Sequence, residues 1–437
     1  MYRASLLVSL IAAVLFTAAC STDGGGSATE AAADRPHGEP AFPGQTDAPP
    51  PATPSSFKAE TVAEIRGGWA VAFLPDGNYL VTQSSGTMRT ISPDGKISEP
   101  IAGVPAVKSV AAQGLHDIVL DPNFNENRLV YFTYFAPPKG EEPQNWPIEH
   151  FYEDVWTKPF AERRTMNLGF ERVARARLRE DDRALEDVDV LAEGSERRVV
   201  FAPDGTMYVV GADRFRFYDS DLDGVEHDWS DEPNVRRNFT GRVLRINPDG
   251  TIPLDNPWLD NAMVPRDTFA HGFKDPEGAA INPATGELWV TDHGPQGGDE
   301  INIVRAGRDY GWPQVSYGVQ YDERQLDGRT NVPVGTGLSS QEGIEEPIYY
   351  WIPSIAPSGM MFYSGDLFPD WKGDLFVGAM SATEGKFLVH LKLDGEHVVS
   401  EEHLLEGEGH RIREVRQGPD GAVYLLSDSA LLRLTPQ

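Results

Sequence analysis

Residues 73–83 read FLPDGNYLVTQ. Proline pre-sets the first turn position, aspartate bonds its own backbone, and glycine takes positive φ. The alternation that follows is that of a strand with one face buried. The phrase recurs as VFAPDGTMYVVG from Val200, INPATGELWVTD from Ile281 and VRQGPDGAVYLLSD from Val415, with a looser copy, VLDPNFNENRLVYFTYF, from Val119. Each copy reads as the entry to a hairpin. Five copies along one chain point to radial repetition, which solves the edge-strand problem by building a propeller. A two-sheet sandwich is the alternative, and the length and recurrence argue against it. The copies are unevenly spaced. Long insertions, such as 137–164 and 214–237, are expected as loops at one end of a central channel, where sites are built. No long amphipathic helical pattern is present. The fold class expected is therefore all-β.

The composition suits a large globular body, with 437 residues of which 40% are hydrophobic and 24% charged. Acidic residues outnumber basic ones 67 to 38, for a net charge of -29. A field of that sign repels nucleic acid and anionic membrane surfaces and suits cations, calcium above all, and neutral ligands. The N-terminus reads as an export signal over residues 1–20: Arg3, then an apolar run from Leu6 to Phe16 too short to span a membrane comfortably, then Thr17-Ala18-Ala19-Cys20. Cys20 is the only cysteine, so disulfides are excluded. Its place after the apolar run resembles a bacterial lipobox, in which it is acylated, although Thr17 stands where an aliphatic residue is usual. Cleavage near the Ala pair by ordinary signal peptidase is the alternative. Residues 21–56, rich in Gly, Ala, Ser and Pro, read as a disordered tether, and 57–437 as the propeller. The expected location is the periplasmic or cell-surface side of a membrane, held by a lipid anchor.

Site chemistry concentrates in DHGPQGGDEIN, residues 292–302, followed by DYGWP at 309–313. Adjacent carboxylates beside a Gly-rich turn offer oxygens to a hard cation. A second acidic run, DSDLDGVE at 219–226, has the Asp-x-Asp-x-Asp-Gly spacing of a calcium loop through Asp219, Asp221 and Asp223. The usual glutamate at its twelfth position is Ser230. Zinc ligand spacing, a phosphate loop, a serine nucleophile elbow and a nucleic-acid patch are all absent.

GPQGGDEIN with DYGWP, SGMMFYSGD after WIPSIAP, GRVLRINPDGTIPLDNP from Gly241 and the ending RIREVRQGPDG together resemble the soluble PQQ-dependent sugar dehydrogenases, the aldose or glucose/sorbosone dehydrogenase family. The resemblance covers most of residues 60–435. It implies a six-bladed propeller with PQQ on its top face, a calcium ion bridging the quinone to the protein, and further structural calcium. Carried over residue by residue, it implies that Gly294 and Pro295 present backbone carbonyls to the active-site calcium. Asp299, Glu300 and Tyr310 match the structural calcium positions. Arg411 and Arg413 match the Arg pair that holds PQQ carboxylates, as guanidinium forks suit carboxylates.

Other positions depart. A family Arg-Asn pair is here Lys274-Asp275; the resemblance makes both cofactor-binding positions, with one positive charge kept, the guanidinium fork lost and a negative charge added. An expected Lys is Ser381, and an expected Gln falls on Ala112 or Gln113. The catalytic His position is Gly194. Glu193, Glu196 and His116 are the substitutes nearby, and the catalytic base is left open. Three readings follow: a calcium- and PQQ-dependent aldose dehydrogenase that passes electrons to a membrane or periplasmic acceptor; a PQQ-free propeller that binds carbohydrate or protein; and a calcium-dependent lactonase-like hydrolase.

Overall fold

A computed structural model of the chain describes residues 35–36, 38–109, 114–137, 170–194, 196–213, 241–262, 264–319, 333–381 and 385–437. Two strands come first, β1 (Arg35–Pro36) and β2 (Lys58–Glu64). Blade one holds β3 (Gly68–Phe73), β4 (Tyr79–Gln83) and β5 (Thr87–Ile91). Blade two holds β6 (Leu115–Leu120), β7 (Leu129–Ala136), β8 (Phe170–Leu178) and β9 (Leu185–Gly194), with a one-turn helix, α1 (Phe124–Asn127), between its first two strands. Blade three holds β10 (Glu196–Phe201), β11 (Met207–Gly211), β12 (Arg242–Ile246) and β13 (Thr268–His271). Blade four holds β14 (Pro276–Ile281), β15 (Leu288–Asp292), β16 (Asp299–Val304) and, after the small strand β17 (Leu338–Ser340), β18 (Tyr349–Trp351). Blade five holds β19 (Pro357–Phe362), β20 (Leu375–Ala379), β21 (Leu388–Asp394) and β22 (His397–Leu404). Blade six combines β23 (Ile412–Gln417), β24 (Val423–Ser427) and β25 (Ala430–Thr435) with β2 from the other end of the chain. These six sheets make the all-β six-bladed propeller. Among the described residues no helix is long and apolar enough to cross a membrane.

Every turn phrase does the job its residues suggest. Gly77, Gly205, Gly286 and Gly421 all take positive φ, between 77° and 90°. In the first copy Gly77 N donates to Leu74 O and Leu74 N to Asn78 O, which closes the turn. Each copy joins the innermost strand of a blade to its second strand: blades one, two, three, four and six. Blade five makes the same connection with SGDLFPDWKGD, closed by Tyr363 N donating to Asp374 O, and carries no such phrase.

Hydroxyls on the strands staple neighbouring blades together near the channel. Thr82 donates to His116 O at 2.5 Å, Thr133 to Arg197 O at 2.7 Å, Thr291 to Ser358 O at 3.1 Å and Ser358 to Ile412 O at 2.6 Å. Apolar clusters fill the wedges between sheets, such as Trp289, Tyr349, Met360, Phe362 and Val377 between blades four and five.

The structure corrects the boundary expected at residue 56. Residues 38–56 lie along the outer edges of blades four and five. Gln45 is fully buried; its Nε2 donates to Pro347 O, and its carbonyl accepts from Tyr350 N. Pro49 O accepts from Glu401 N, and Ser55 donates to Glu402 through both N and Oγ. Composition argued for disorder because large apolar residues are scarce there. The segment is held instead by polar bonds, which composition does not register. Cys20 and the rest of the expected signal lie outside the described residues.

Candidate functional site

The six innermost strands β3, β6, β10, β14, β19 and β23 share one irregularity. Each shifts register within its first residues: at Gly68/Ala70, Leu115/Ile118, Glu196/Arg198, Pro276/Gly278, Pro357/Met360 and Ile412/Glu414. In a regular strand consecutive side chains face opposite ways. A bulge re-aims them. Consecutive side chains from one strand therefore reach into the same ring of contacts around the channel.

Trp69, His116, Arg197, Glu277 and Arg413 form its first layer. The Trp69 indole stacks on His116 with centroids 4.9 Å apart. Arg197 Nη1 donates to one oxygen of Glu277, and Arg413 Nη1 donates to the other at 2.9 Å. Arg413 also lies 5.7 Å over the Trp69 ring. His116 Nδ1 is 4.0 Å from Glu171, which is itself 3.8 Å from Arg197. The next residues make a second layer. Arg198 pairs with Glu414 from the opposite blade, lies 3.5 Å from Asp117 and donates to Glu277 O at 2.7 Å. Arg416 closes this layer on Asp117 and Glu414, 3.2 Å from each.

Burial in this ring disfavours every charge, and the ring answers with counter-charges. Burial alone would raise the Glu277 carboxyl. Arg197 and Arg413 outweigh it, with help from His293 and Arg198, and hold Glu277 well below the ordinary carboxylate range. Burial lowers the Arg413 guanidinium to about 10; Glu277 opposes the fall, and the like charges of Arg411, Arg198 and Arg197 add to it. The Arg411–Arg413 pair predicted to hold carboxylates thus sits at the start of β23 as expected, but its two members differ. Arg413 is tied to Glu277. Arg411 donates Nε to Met380 O at 3.2 Å, and among the described residues no carboxylate lies within 4.0 Å of it.

The Gly294–Pro295 turn leads from β15 to β16. Gly294 is required there, because a Cβ would fall 2.0 Å from Gly297 O. Lys274 reaches this turn and donates Nζ to Gly294 O at 3.0 Å. Asp275 lies 3.5 Å from Arg197 and 3.9 Å from His293 Nδ1, and its buried Oδ1 accepts no hydrogen bond. His293 donates Nε2 to Pro357 O at 2.6 Å.

Asp299 staples this turn. Its Oδ1 accepts from Gly294 N, and its Oδ2 accepts from Ser354 Oγ and Ala356 N. Glu300 lies two residues from Asn302, whose Nδ2 donates to it at 3.0 Å and whose buried Oδ1 accepts no hydrogen bond among the described residues. Burial raises the Glu300 carboxyl well above its usual range, and the neighbouring Asp292, Glu346 and Asp299 push it further. Asp292 is pushed up to about 7 by burial, against the backbone donors of Lys274 and Asp275. The Tyr310 hydroxyl does not join this acidic cluster. It donates to Ile303 O at 2.6 Å and accepts from Arg305 N, while its ring stacks on Phe273. Asp219, Asp221, Asp223, Ala112 and Gln113 lie outside the described residues.

Of the positions weighed as substitutes for the missing base, the Glu196 side chain lies outside the described residues. Gly194 ends β9. Glu193 turns outward to pair with Arg172 at 2.6 Å. His116 is sealed under Trp69 with no exposure. Sequence reasoning missed the ring itself, although a signal existed. Trp69, His116, Arg197, Glu277 and Arg413 each stand six residues before a turn proline: Pro75, Pro122, Pro203, Pro283 and Pro419.

Comparison with known proteins agrees with this architecture. Residues 65–435 match the family model described as glucose/sorbosone dehydrogenase. An uncharacterized Synechocystis protein, slr1608, is 34% identical over 84% of this chain and 83% of its own. The aldose sugar dehydrogenase YliI of Escherichia coli is 30% identical over 88% of this chain and 95% of its own. The crystal structure of the soluble aldose sugar dehydrogenase from E. coli, in its apo form, superposes with a TM-score of 0.70 at 29% identity, covering 87% of this chain and all of that one. A fold, a channel-mouth motif set and a family match spanning the whole propeller agree: the chain belongs to the glucose/sorbosone dehydrogenase family, the soluble PQQ sugar dehydrogenase-like propellers.

Proposed function

We propose that the protein oxidises an aldose hydroxyl at the channel mouth, with PQQ as redox group, and passes the electrons to an external acceptor. Arg411 is the observation that carries this reading. A guanidinium without a carboxylate partner among the described residues, beside the Arg413 guanidinium, is an anion receptor that those residues do not fill. The three carboxylates of PQQ suit Arg411 and Arg413, and Lys274 adds a cation at the Gly294 turn. When bound, such a quinone would supply two-electron oxidising chemistry toward the carbinol carbon. The chain's part is to hold it and to take the hydroxyl proton. We assign the proton to Asp275, whose Oδ1 accepts no hydrogen bond among the described residues and lies 3.5 Å from Arg197, and whose Oδ2 has His293 3.9 Å away. General-base catalysis is worth about 10²–10⁴-fold. That range is enough to restore a site whose family His is Gly194.

Calcium belongs to this reading at Glu300, where a buried orphan oxygen on Asn302 adds a neutral ligand to the carboxylate, and at the 219–223 loop. The chain ahead of β1 serves as signal and tether, anchored through Cys20.

Reconstitution decides the matter. Purified protein with PQQ should develop a bound-quinone absorbance and reduce a dye when aldoses are added. The second reading, a PQQ-free binding module, draws on Gly194 and on the hold of Glu277 on Arg413. PQQ that fails to bind at micromolar concentration, with sugar still retained, would establish it instead.

A further inference from the structure

Lys274 is placed where a metal ion would be expected. Its side chain is buried, only 3% of the residue remaining exposed. The ammonium bonds the Gly294 carbonyl at 3.0 Å and lies 5.7 Å over the Trp312 ring. Trp312 is itself held, its Nε1 donating to Asp213 at 3.1 Å. The backbone that carries Lys274 is fixed by Asp292, which accepts from Lys274 N at 2.9 Å and from Asp275 N at 2.6 Å. The turn is fixed as well, by Asp299 on Gly294 N and by the absence of room for a Cβ.

A hard divalent ion on a turn carbonyl needs 6–8 oxygens at about 2.3–2.6 Å. At Gly294 one carbonyl already accepts from a buried ammonium. A divalent ion bound to the same oxygen would face that ammonium at a distance of a few ångströms, in a buried place where bulk solvent screens little. Lysine is a compact point charge that suits such a position, and a planar guanidinium is not. The Gly294–Pro295 turn therefore does not fit calcium.

We propose that the Lys274 ammonium replaces the calcium ion at this turn as a built-in cation, so that the mouth of the channel carries its positive charge without metal there. The replacement stands on the geometry of Lys274. Its consequence, metal-independent capture of the quinone, rests on the proposed function.

The test counts calcium on the full chain after chelation, by equilibrium dialysis against Ca²⁺ with wild type and Lys274→Met. The variant is expected to bind one more Ca²⁺ per chain than wild type, with circular dichroism verifying its fold. Equal numbers would overturn the proposal. Should the variant not fold, wild type alone decides. Under reductive methylation read by mass spectrometry, Lys274 should stay unmodified with and without millimolar Ca²⁺. Labelling that appears with Ca²⁺ means the ion displaces the ammonium and refutes the idea. PQQ dialysis then tests the consequence: affinity should change less than about threefold on adding EGTA. Loss of binding in EGTA alone removes metal independence. No binding under either condition removes the quinone reading and leaves the calcium count to judge Lys274.

Discussion

Replacing Glu277 with Gln tests whether the ring is a stabilising network or an incidental cluster. Both Glu277 oxygens accept from guanidinia, Arg197 on one and Arg413 on the other, and its side chain is 4% exposed. Glutamine keeps the volume but removes the charge, and it turns a donor toward an arginine that also donates. Removing one partner from a buried pair costs about 3–5 kcal/mol. A body of about 380 residues at about 2.1 cal/mol/K per residue loses about 0.8 kcal/mol per degree near its midpoint, so the melting temperature should fall by about 4–6 °C. The pH dependence fixes the cause. The folded-state pKa of Glu277 is depressed, so its contribution is complete above the ordinary Glu value and is lost as pH falls below it. The gap between wild type and Glu277→Gln should hold steady from pH 8 to about pH 5. Below the ordinary Glu value it should shrink by about 1.4 kcal/mol per unit. Denaturant titrations across that range provide the measurement. A variant within about 1 kcal/mol of wild type at pH 7, or a gap that persists unchanged to pH 3.5, would refute the argument.

Arg411→Ala should weaken PQQ binding by about 10- to 150-fold, the loss of one charged hydrogen bond. It should leave the melting temperature within about 1 °C, since the side chain makes one weak internal bond; an unchanged dissociation constant in PQQ titrations counts against the anion-receptor reading. Asp275→Asn should lower kcat for aldose oxidation by about 10²–10⁴-fold with KM nearly unchanged, and a loss below threefold in steady-state assays would move the base elsewhere. Gln45→Ala should cost about 1–3 kcal/mol in urea unfolding, because it orphans the Pro347 carbonyl. A cost under about 0.5 kcal/mol would mean that the 38–56 segment adds little to the body.

The blades were legible because a Pro-Asp-Gly phrase fixes a turn through local dihedrals, and local dihedrals are written in adjacent residues. Blade five shows the limit. Its connection runs through Pro369 and Trp371, and its closing bond, Tyr363 N to Asp374 O, spans residues that no short phrase joins. The site was legible only where a motif marks it. Arg411, Arg413 and the Gly294 turn were read from the chain. Arg197 with Glu277, and Arg198 with Glu414, were not. These pairs join residues 80 and 216 positions apart, and the bulges that aim them arise where the innermost strands meet. Lys274 was read as a lost guanidinium fork. Its bond to Gly294 O depends on how blades three and four meet, which spacing does not encode. The resemblance places Tyr310 at a structural calcium; its hydroxyl is committed to Ile303 and Arg305, so any ligand from this residue would be its backbone carbonyl.

The mixed composition of blade six makes folding a matter of timing. Lys58 on β2 pairs with Thr435 on β25, 377 residues later, and the pairing runs on to Glu64 with Ala430. A ribosome adding about 5–20 residues per second needs about 20–75 s to cover that distance. Throughout that interval the first strand of the ring has no partner. Its sequence, KAETVAE, is exposed along most of its length even in the finished fold. A charged, mostly polar strand is a poor template for association with other chains. The segment obliged to wait longest is thus the one that waits most safely, and the ring closes only once β25 has emerged.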